Sequence, residues 1–289
     1  MGESTQTYTV ATRGSPLAMV QTERAVEFLS SRLPGCSFDI QKLVTTGDAQ
    51  ASWSLEQHGG AGLFTSELEN ALLEGRADIA IHSAKDLPAK MKPGLAIAGY
   101  LPRADARDVM VLREGVTKPE SIATGSPRRR AQLSRQFVKA DFLEIRGNVD
   151  TRLKKIAEGY AEATVLAAAG LERLGISEWP GLRFQVLPLA VCVPAVGQGA
   201  IAVQCRMELV ETLRPLLDVP TGRAVGLERR FLRALGGGCH AAFAVHFDGS
   251  AVYVYHDACG LQRFSVTDEE LLQPAALVSD IIERLGFNV

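Results

Sequence analysis

Two segments of this chain open in the same way. Gly14-Ser15-Pro16-Leu17-Ala18-Met19-Val20-Gln21 and Gly125-Ser126-Pro127-Arg128-Arg129-Arg130-Ala131-Gln132 share Gly-Ser-Pro and a glutamine at the same offset. Each follows a predicted strand and opens a predicted helix, with serine as N-cap and proline at the first helical position. The echo points to two similar α/β halves, each presenting a helix N-terminus. The free N–H groups and positive dipole end of such a helix suit an anion. Ser-Pro is also a common helix start, so two unrelated helices remain the plainer alternative.

The rest of the first two-thirds fits α/β layers, with short apolar runs alternating with helical patterns. Predicted strands are Tyr8 to Thr12, Ser37 to Val44, Ile79 to His82, Leu95 to Tyr100, Val109 to Leu112, Phe142 to Ile145, Thr164 to Ala168 and Ala200 to Gln204. Predicted helices are Pro16 to Leu33, Leu63 to Glu74, Pro127 to Phe137 and Val149 to Glu158, with Gly75 and Gly159 at C-cap positions. Pro102 to Arg107 reads as a crossover between halves, and Pro194 to Gly199 as the return. Pro220-Thr221-Gly222 reads as a linker into a smaller α+β unit. That unit has a basic amphipathic run (Arg223 to Leu235), strands Ala241 to Phe247, Ala251 to His256 and Gln262 to Val266, and a helix Asp268 to Leu285.

At 289 residues the chain is long enough for two or three domains. A formal net charge of -2 and 6% aromatic residues argue against a dedicated nucleic-acid binder, so any basic patch must be local and serve a small anion. The five cysteines (Cys36, Cys192, Cys205, Cys239 and Cys259) show neither CxxC nor Cys/His spacing, and the five histidines show no metal spacing. No disulfide framework and no metal are therefore expected. No basic-then-apolar signal and no apolar run of membrane-spanning length is present, so the expected location is the cytoplasm. An organelle remains open if a transit peptide has been removed.

Several residues could carry chemistry. His82-Ser83-Ala84-Lys85-Asp86-Leu87-Pro88 follows a predicted strand, where open α/β sheets place their ligands. A carboxylate beside an ammonium can stay ionised and stabilise a cation formed during reaction. An incidental Lys-Asp pair on a surface loop is the alternative. Arg13, Arg128, Arg129, Arg130, Arg146, Arg152 and Arg173 lie at predicted strand or helix ends, and guanidinium suits carboxylate or phosphate. For any one of them a solvated helix face is the default. Gly59-Gly60-Ala61-Gly62-Leu63-Phe64 lacks nucleotide-loop spacing and reads as a lid or tight turn. Gly236-Gly237-Gly238-Cys239-His240 sets a cysteine on permissive backbone between a helix and a strand. A buried structural thiol is the local alternative.

Longer motifs narrow these readings. They are Ala-Thr-Arg-Gly-Ser-Pro-Leu-Ala at 11–18, Thr-Thr-Gly-Asp at 45–48, Gly-Leu-Phe-Thr-Ser-Glu-Leu-Glu at 62–69 and Ala-Asp-Ile-Ala-Ile-His-Ser-Ala-Lys-Asp at 77–86. The Arg128-Arg129 pair follows, then Arg146-Gly147-Asn148 with Arg152, Ala-Gly-Leu-Glu-Arg-Leu-Gly at 169–175, Pro-Ala-Val-Gly-Gln-Gly-Ala at 194–200 and Gly-Gly-Cys at 237–239. In this order they resemble the porphobilinogen deaminase (hydroxymethylbilane synthase) family of tetrapyrrole biosynthesis, from about Ala11 to His246.

The resemblance implies an α/β fold of two periplasmic-binding-protein-like lobes with chain crossovers, plus a small C-terminal α+β domain carrying the cofactor cysteine. The lobes would be 1–101 with 196–219 and 102–195, and the small domain 220–289. Cys239 would hold a dipyrromethane cofactor through a thioether. Four porphobilinogens would be added head to tail, each losing ammonia, before water releases hydroxymethylbilane. Asp86 would be catalytic. Lys85, Ser83, Thr124, Ser126, Arg128 and Arg129 would hold the cofactor, and Arg13, Ser15, Gln21, Arg146, Arg152, Arg173 and Gln198 the substrate and growing oligopyrrole chain. Expected partners include no nucleic acid and no membrane, and the expected state is a monomer. Ala61 stands where many relatives carry lysine, Gly236 replaces a frequent acidic residue, His240-Ala241-Ala242 departs from the usual sequence, and the third domain is short. The rival reading is a non-catalytic bilobal small-anion-binding protein with a free Cys239 thiol.

Overall fold

Alternation along the first strand shows how the chain begins to fold. Tyr8 and Val10 face one apolar cluster, while Ala11 faces another on the opposite side of the sheet. The computed structural model describes residues 6–45, 65–235 and 242–287. Of the motifs above, Thr46 to Asp48, Gly59 to Phe64 and Gly236 to Ala241 lie outside the described residues.

The chain starts with β1 (Gln6–Arg13), α1 (Pro16–Ser30), β2 (Cys36–Leu43), α2 (Ser66–Leu73), β3 (Ile79–Ser83), a 3-10 turn (Ala84–Asp86) and β4 (Leu95–Tyr100). It continues through β5 (Asp108–Arg113), β6 (Ser121–Ala123), α3 (Pro127–Ser134), β7 (Asp141–Leu143), α4 (Val149–Ala157), β8 (Ala163–Ala167), α5 (Ala168–Arg173) and β9 (Leu182–Val186). It then returns with β10 (Ile201–Arg206), short helical turns over 207–216 that include α6 (Val210–Leu213), and α7 (Val219–Leu235). The last elements are β11 (Phe243–Phe247), β12 (Ala251–His256), β13 (Gly260–Ser265), α8 (Asp268–Leu271) and α9 (Pro274–Arg284).

Two five-stranded sheets share one topology. The first runs β2-β1-β3-β10-β4, the second β7-β6-β8-β5-β9. In each, the first three strands are parallel and the fourth is antiparallel to both its neighbours. The Gly-Ser-Pro echo falls on equivalent places, after β1 and after β6. Helices cover both faces of each sheet. Ala25 and Leu29 of α1, with Val210 and Leu213 of α6, fill one face of the first, and Leu68, Ala71 and Leu72 of α2 the other. In the second sheet Leu133 of α3 packs on one face, and Leu153 of α4 with Leu171 of α5 on the other. The third sheet, β11-β12-β13, is wholly antiparallel and packs against Phe231 of α7 and Leu277, Val278, Ile281 and Ile282 of α9.

By contacts the chain forms two compact units, 1–104 with 199–222, and 105–198 with 223–289. The expected boundaries placed 102–195 and 220–289 in separate domains. Here the second and third sheets share one unit, joined where Val193, Ala242, Ala244 and Tyr255 pack together with Ala131 alongside.

Other differences have local causes. Pro220, Thr221 and Gly222 are not a linker but the first turn of α7, where the missing proline N–H costs nothing. The helix expected over Asp268 to Leu285 is two helices. The first begins with a capping box between Thr267 and Glu270, and Pro274 opens the second. β6 and β9 escaped the strand pattern, β6 because three residues are too few to show alternation. Gly75 and Gly159 follow α2 and α4 with φ of 69° and 91°, the left-handed conformation that ends a helix most readily at glycine. Among the described residues, no helix is long and apolar enough to cross a membrane.

Candidate functional site

Polar residues gather at strand ends in both units. In the first, Arg13 ends β1 and is half-buried. Ser15 caps α1, its Oγ accepting from Ala18 N–H at 3.3 Å. Two turns in, the buried Gln21 donates from Nε2 to Ser83 Oγ at 3.0 Å, tying α1 to the end of β3. The Thr12 and Thr22 hydroxyls meet at 2.6 Å and fix α1 against β1. After β3 the chain makes the 3-10 turn that carries Lys85, exposed, and Asp86, half-buried. That turn is anchored where Ala84 N–H donates to the Ala200 carbonyl at 3.0 Å.

Beneath this end of the sheet lies a network that sequence reading did not find. His82 Nε2 sits 2.9 Å from Gln204 Oε1, and Gln204 Nε2 donates to Glu69 Oε1 at 3.1 Å. Burial, with a smaller contribution from the nearby charge of Arg13, lowers the His82 pKa to about 4 against the opposing hydrogen bond to Gln204. His82 is therefore a neutral structural group. Gln204 sits beside a register shift between Val203 and Gln204 where β10 meets β4.

The second unit repeats the cap and changes its surroundings. Ser126 Oγ accepts from Arg129 N–H at 3.4 Å, and Thr124 Oγ1 accepts from Ser126 N–H at 3.2 Å. The glutamine of the echo, Gln132, clamps Val193, accepting its N–H at 2.7 Å and donating to its carbonyl at 3.0 Å. Arg128 and Arg129, both nearly buried, converge on Asp108 at the start of β5, each at 2.7 Å. Arg128 Nη1 also donates to the Val193 carbonyl at 2.6 Å, and Arg129 Nη1 to the Val165 carbonyl at 2.7 Å. Gln198 Nε2 donates to Asp108 at 2.9 Å and to the Ala106 carbonyl at 2.7 Å.

Desolvation opposes the charge on Asp108, but the two guanidiniums outweigh it and hold the carboxyl far below its usual range. The two arginines expected to face ligand carboxylates are thus largely engaged by an internal one, since buried guanidiniums need a counter-charge. Asp108 was missed because it lies one residue outside the predicted strand. A lone acid at the mouth of an apolar run was the available signal. The Cys192 thiol beside it is pushed up to about 12, chiefly by burial, which leaves it a packing group.

Arg146 and Arg152 border this cluster. Arg146 lies between β7 and α4, with Glu144 2.6 Å away, yet its Nε and Nη2 are buried with no hydrogen-bond partner among the described residues. Arg152 Nε donates to the Gly147 carbonyl at 2.8 Å. Its pKa is drawn down to about 10, first by burial and then by the like charges of Arg129 and Arg146. Arg173 ends α5 and is buried. The structure therefore brings Arg128, Arg129 and Gln198 around Asp108, with Arg146 and Arg152 alongside, sets Thr124 and Ser126 together at the start of α3, and separately joins Gln21 to Ser83. Cys239 lies outside the described residues.

Fold and site define an α/β protein with two topologically matched lobes and a guanidinium-rich cluster at the strand ends of one of them. Comparison with known proteins is specific. A family model described as "Porphobilinogen deaminase, dipyromethane cofactor binding domain" matches residues 8–214. Porphobilinogen deaminase of Brevibacillus brevis is 40% identical over 82% of this chain and 78% of its own length. That of Roseiflexus sp. strain RS-1 is 37% identical over 97% of each, and that of Streptococcus sanguinis 40% over 81% of each. This chain belongs to the porphobilinogen deaminase family.

Proposed function

We propose that the chain is a transferase of tetrapyrrole biosynthesis that joins four porphobilinogen molecules head to tail, with loss of ammonia at each addition, and releases hydroxymethylbilane. The observation that carries this reading is the cluster of guanidiniums in the second unit. Asp108 and Glu144 are the carboxylates seen to pair with Arg128, Arg129, Arg130 and Arg146 among the described residues, so the group keeps a net positive charge. The buried, unbonded Nε and Nη2 of Arg146 form one edge of a fork that suits a carboxylate. Porphobilinogen carries an acetate and a propionate, so each addition brings two more carboxylates to be held.

This donor set fits a dipyrromethane cofactor, which bears the same acidic side chains. When bound it supplies the end to which new rings are joined. Cys239 is the proposed attachment point, on the strength of its Gly-Gly-Cys setting. Lys85, Ser83, Thr124, Ser126, Arg128 and Arg129 are proposed to hold it. Arg128 and Arg129 would act chiefly by supplying positive potential and a rigid frame, since Asp108 engages them. Arg13, Ser15, Gln21, Arg146, Arg152, Arg173 and Gln198 are proposed to hold and orient substrate. Asp86 is proposed as the catalytic group, its carboxylate stabilising positive charge on the substrate as the amine leaves. We further propose a cytoplasmic monomer with neither nucleic-acid nor membrane partner. A non-catalytic anion binder is not favoured, because the family match spans most of the chain.

Intact mass of the denatured protein tests the reading. An added mass of two linked pyrroles, absent from Cys239→Ser, is the expected result. An unmodified chain that neither gains mass nor releases ammonia with porphobilinogen would defeat it.

A further inference from the structure

Glu144 sits where a ligand carboxylate is wanted. Its Oε1 lies 2.6 Å from Arg146 Nη2, and its Oε2 3.6 Å from Arg130 Nη2. A Cβ on Gly125 would come within 2.7 Å of the same Oε1, so this carboxylate rests directly on the backbone leading into α3. The main chain at Glu144 is held, because Tyr160 Oη donates to its carbonyl at 2.7 Å. Only the side chain is left to move, and it is 37% exposed.

The contact with Arg146 is close in charge but poor in direction. Arg146 Nε and Nη2 and Glu144 Oε1 are all buried, and none has an aligned hydrogen bond among the described residues. Glu144 thus neutralises the guanidinium without satisfying its fork. A free carboxylate with no tether could approach that edge in plane and make both bonds, which a side chain two residues away does not. The same carboxylate also offsets, at Arg152, part of the repulsion from Arg129 and Arg146.

We propose that Glu144 is an internal competitor for the anion site, occupying Arg146 when no ligand is present and yielding it to a substrate carboxylate. This deepens the reading above and takes its substrate from it. Glu144 then sets the affinity of the site. It screens the arginines between additions and keeps each newly bound ring from being held too tightly to shift onward. A partly exposed ion pair is weak enough to exchange in this way.

The test is Glu144→Gln in the full chain, which keeps the shape and removes the charge. The KM for porphobilinogen should fall about two- to fivefold, the scale set by losing one partly exposed competing pair. Inorganic sulfate, followed by calorimetry with no turnover required, should bind tighter by a similar factor. Glu144→Ala should change both in the same direction. If Glu144 instead orients Arg146, both variants raise KM and weaken sulfate binding, which overturns the proposal. Unchanged sulfate binding and KM also overturn it. Tighter sulfate binding by a protein that never converts porphobilinogen would uphold the competitor while refuting the deaminase reading, so the two failures are distinguishable.

Discussion

The two lobes start from the same local instruction and end with different buried polar groups. Each has a Gly-Ser-Pro turn, a serine cap, a proline-led helix and a glutamine at the same offset, at equivalent places in sheets of one topology. In the first lobe the glutamine meets a serine hydroxyl, and the buried group below is a neutral histidine bonded to Gln204. In the second the glutamine grips Val193, and the buried groups are two guanidiniums on one carboxylate. A shared cap therefore fixes where each helix begins, while partners distant in sequence decide which polar groups are buried beside it.

Removing Asp108 should break the second lobe hardest. Asp108→Asn leaves Arg128 and Arg129 buried against a neutral amide, and should lower stability by about 3–5 kcal/mol, read by urea unfolding at neutral pH. A loss no larger than that of a surface mutation would show that the charged cluster is not what holds this lobe. The first lobe's chemistry is tested by Asp86→Asn, which should cut turnover about 100-fold or more with unaltered thermal stability. Near-normal turnover would remove Asp86 from the mechanism.

The neutral histidine has its own pH signature. His82 titrates near 6.5 when unfolded but near 4 when buried, so the unfolded chain binds the proton first. Its contribution is complete above about pH 6.5 and is lost as pH falls toward 4, a difference of roughly 3 kcal/mol. His82→Gln should flatten that part of the stability profile, and an unchanged profile would mean the ring is not buried neutral. Asp108 acts at lower pH. Its depressed carboxyl stabilises above the ordinary carboxylate range and ceases to do so as acid protonates it. The smallest effect is the most direct comparison. Ser15→Ala and Ser126→Ala should each cost about 1 kcal/mol, and a markedly unequal pair would show that one cap is held by more than its local hydrogen bond.

Much of this was legible beforehand because it is local. Strand periodicity located β1, β3, β4, β5 and β10 to within a residue or two at each end. Glycines marked the ends of α2 and α4, and Ser-Pro marked the starts of α1 and α3. Strand ends also named most of the arginines. Hidden were features whose signal is a distance between remote residues. Asp108 meets partners 20 and 21 positions on, and His82 meets Gln204 across 122. Pro220 misled because the same residue that signals a linker also opens a helix.

From the sequence alone came the doubled α/β pattern, the family resemblance with its candidate Asp86 and Cys239, and the list of cationic side chains. Tertiary structure alone decided which cations are occupied. Arg128 and Arg129 are engaged by Asp108, while Arg146 keeps a buried edge that Glu144 approaches but does not bond. The reason is physical. Periodicity and caps depend on neighbours along the chain, whereas the charge available to a ligand depends on which carboxylates and carbonyls folding brings within about 3 Å of each guanidinium.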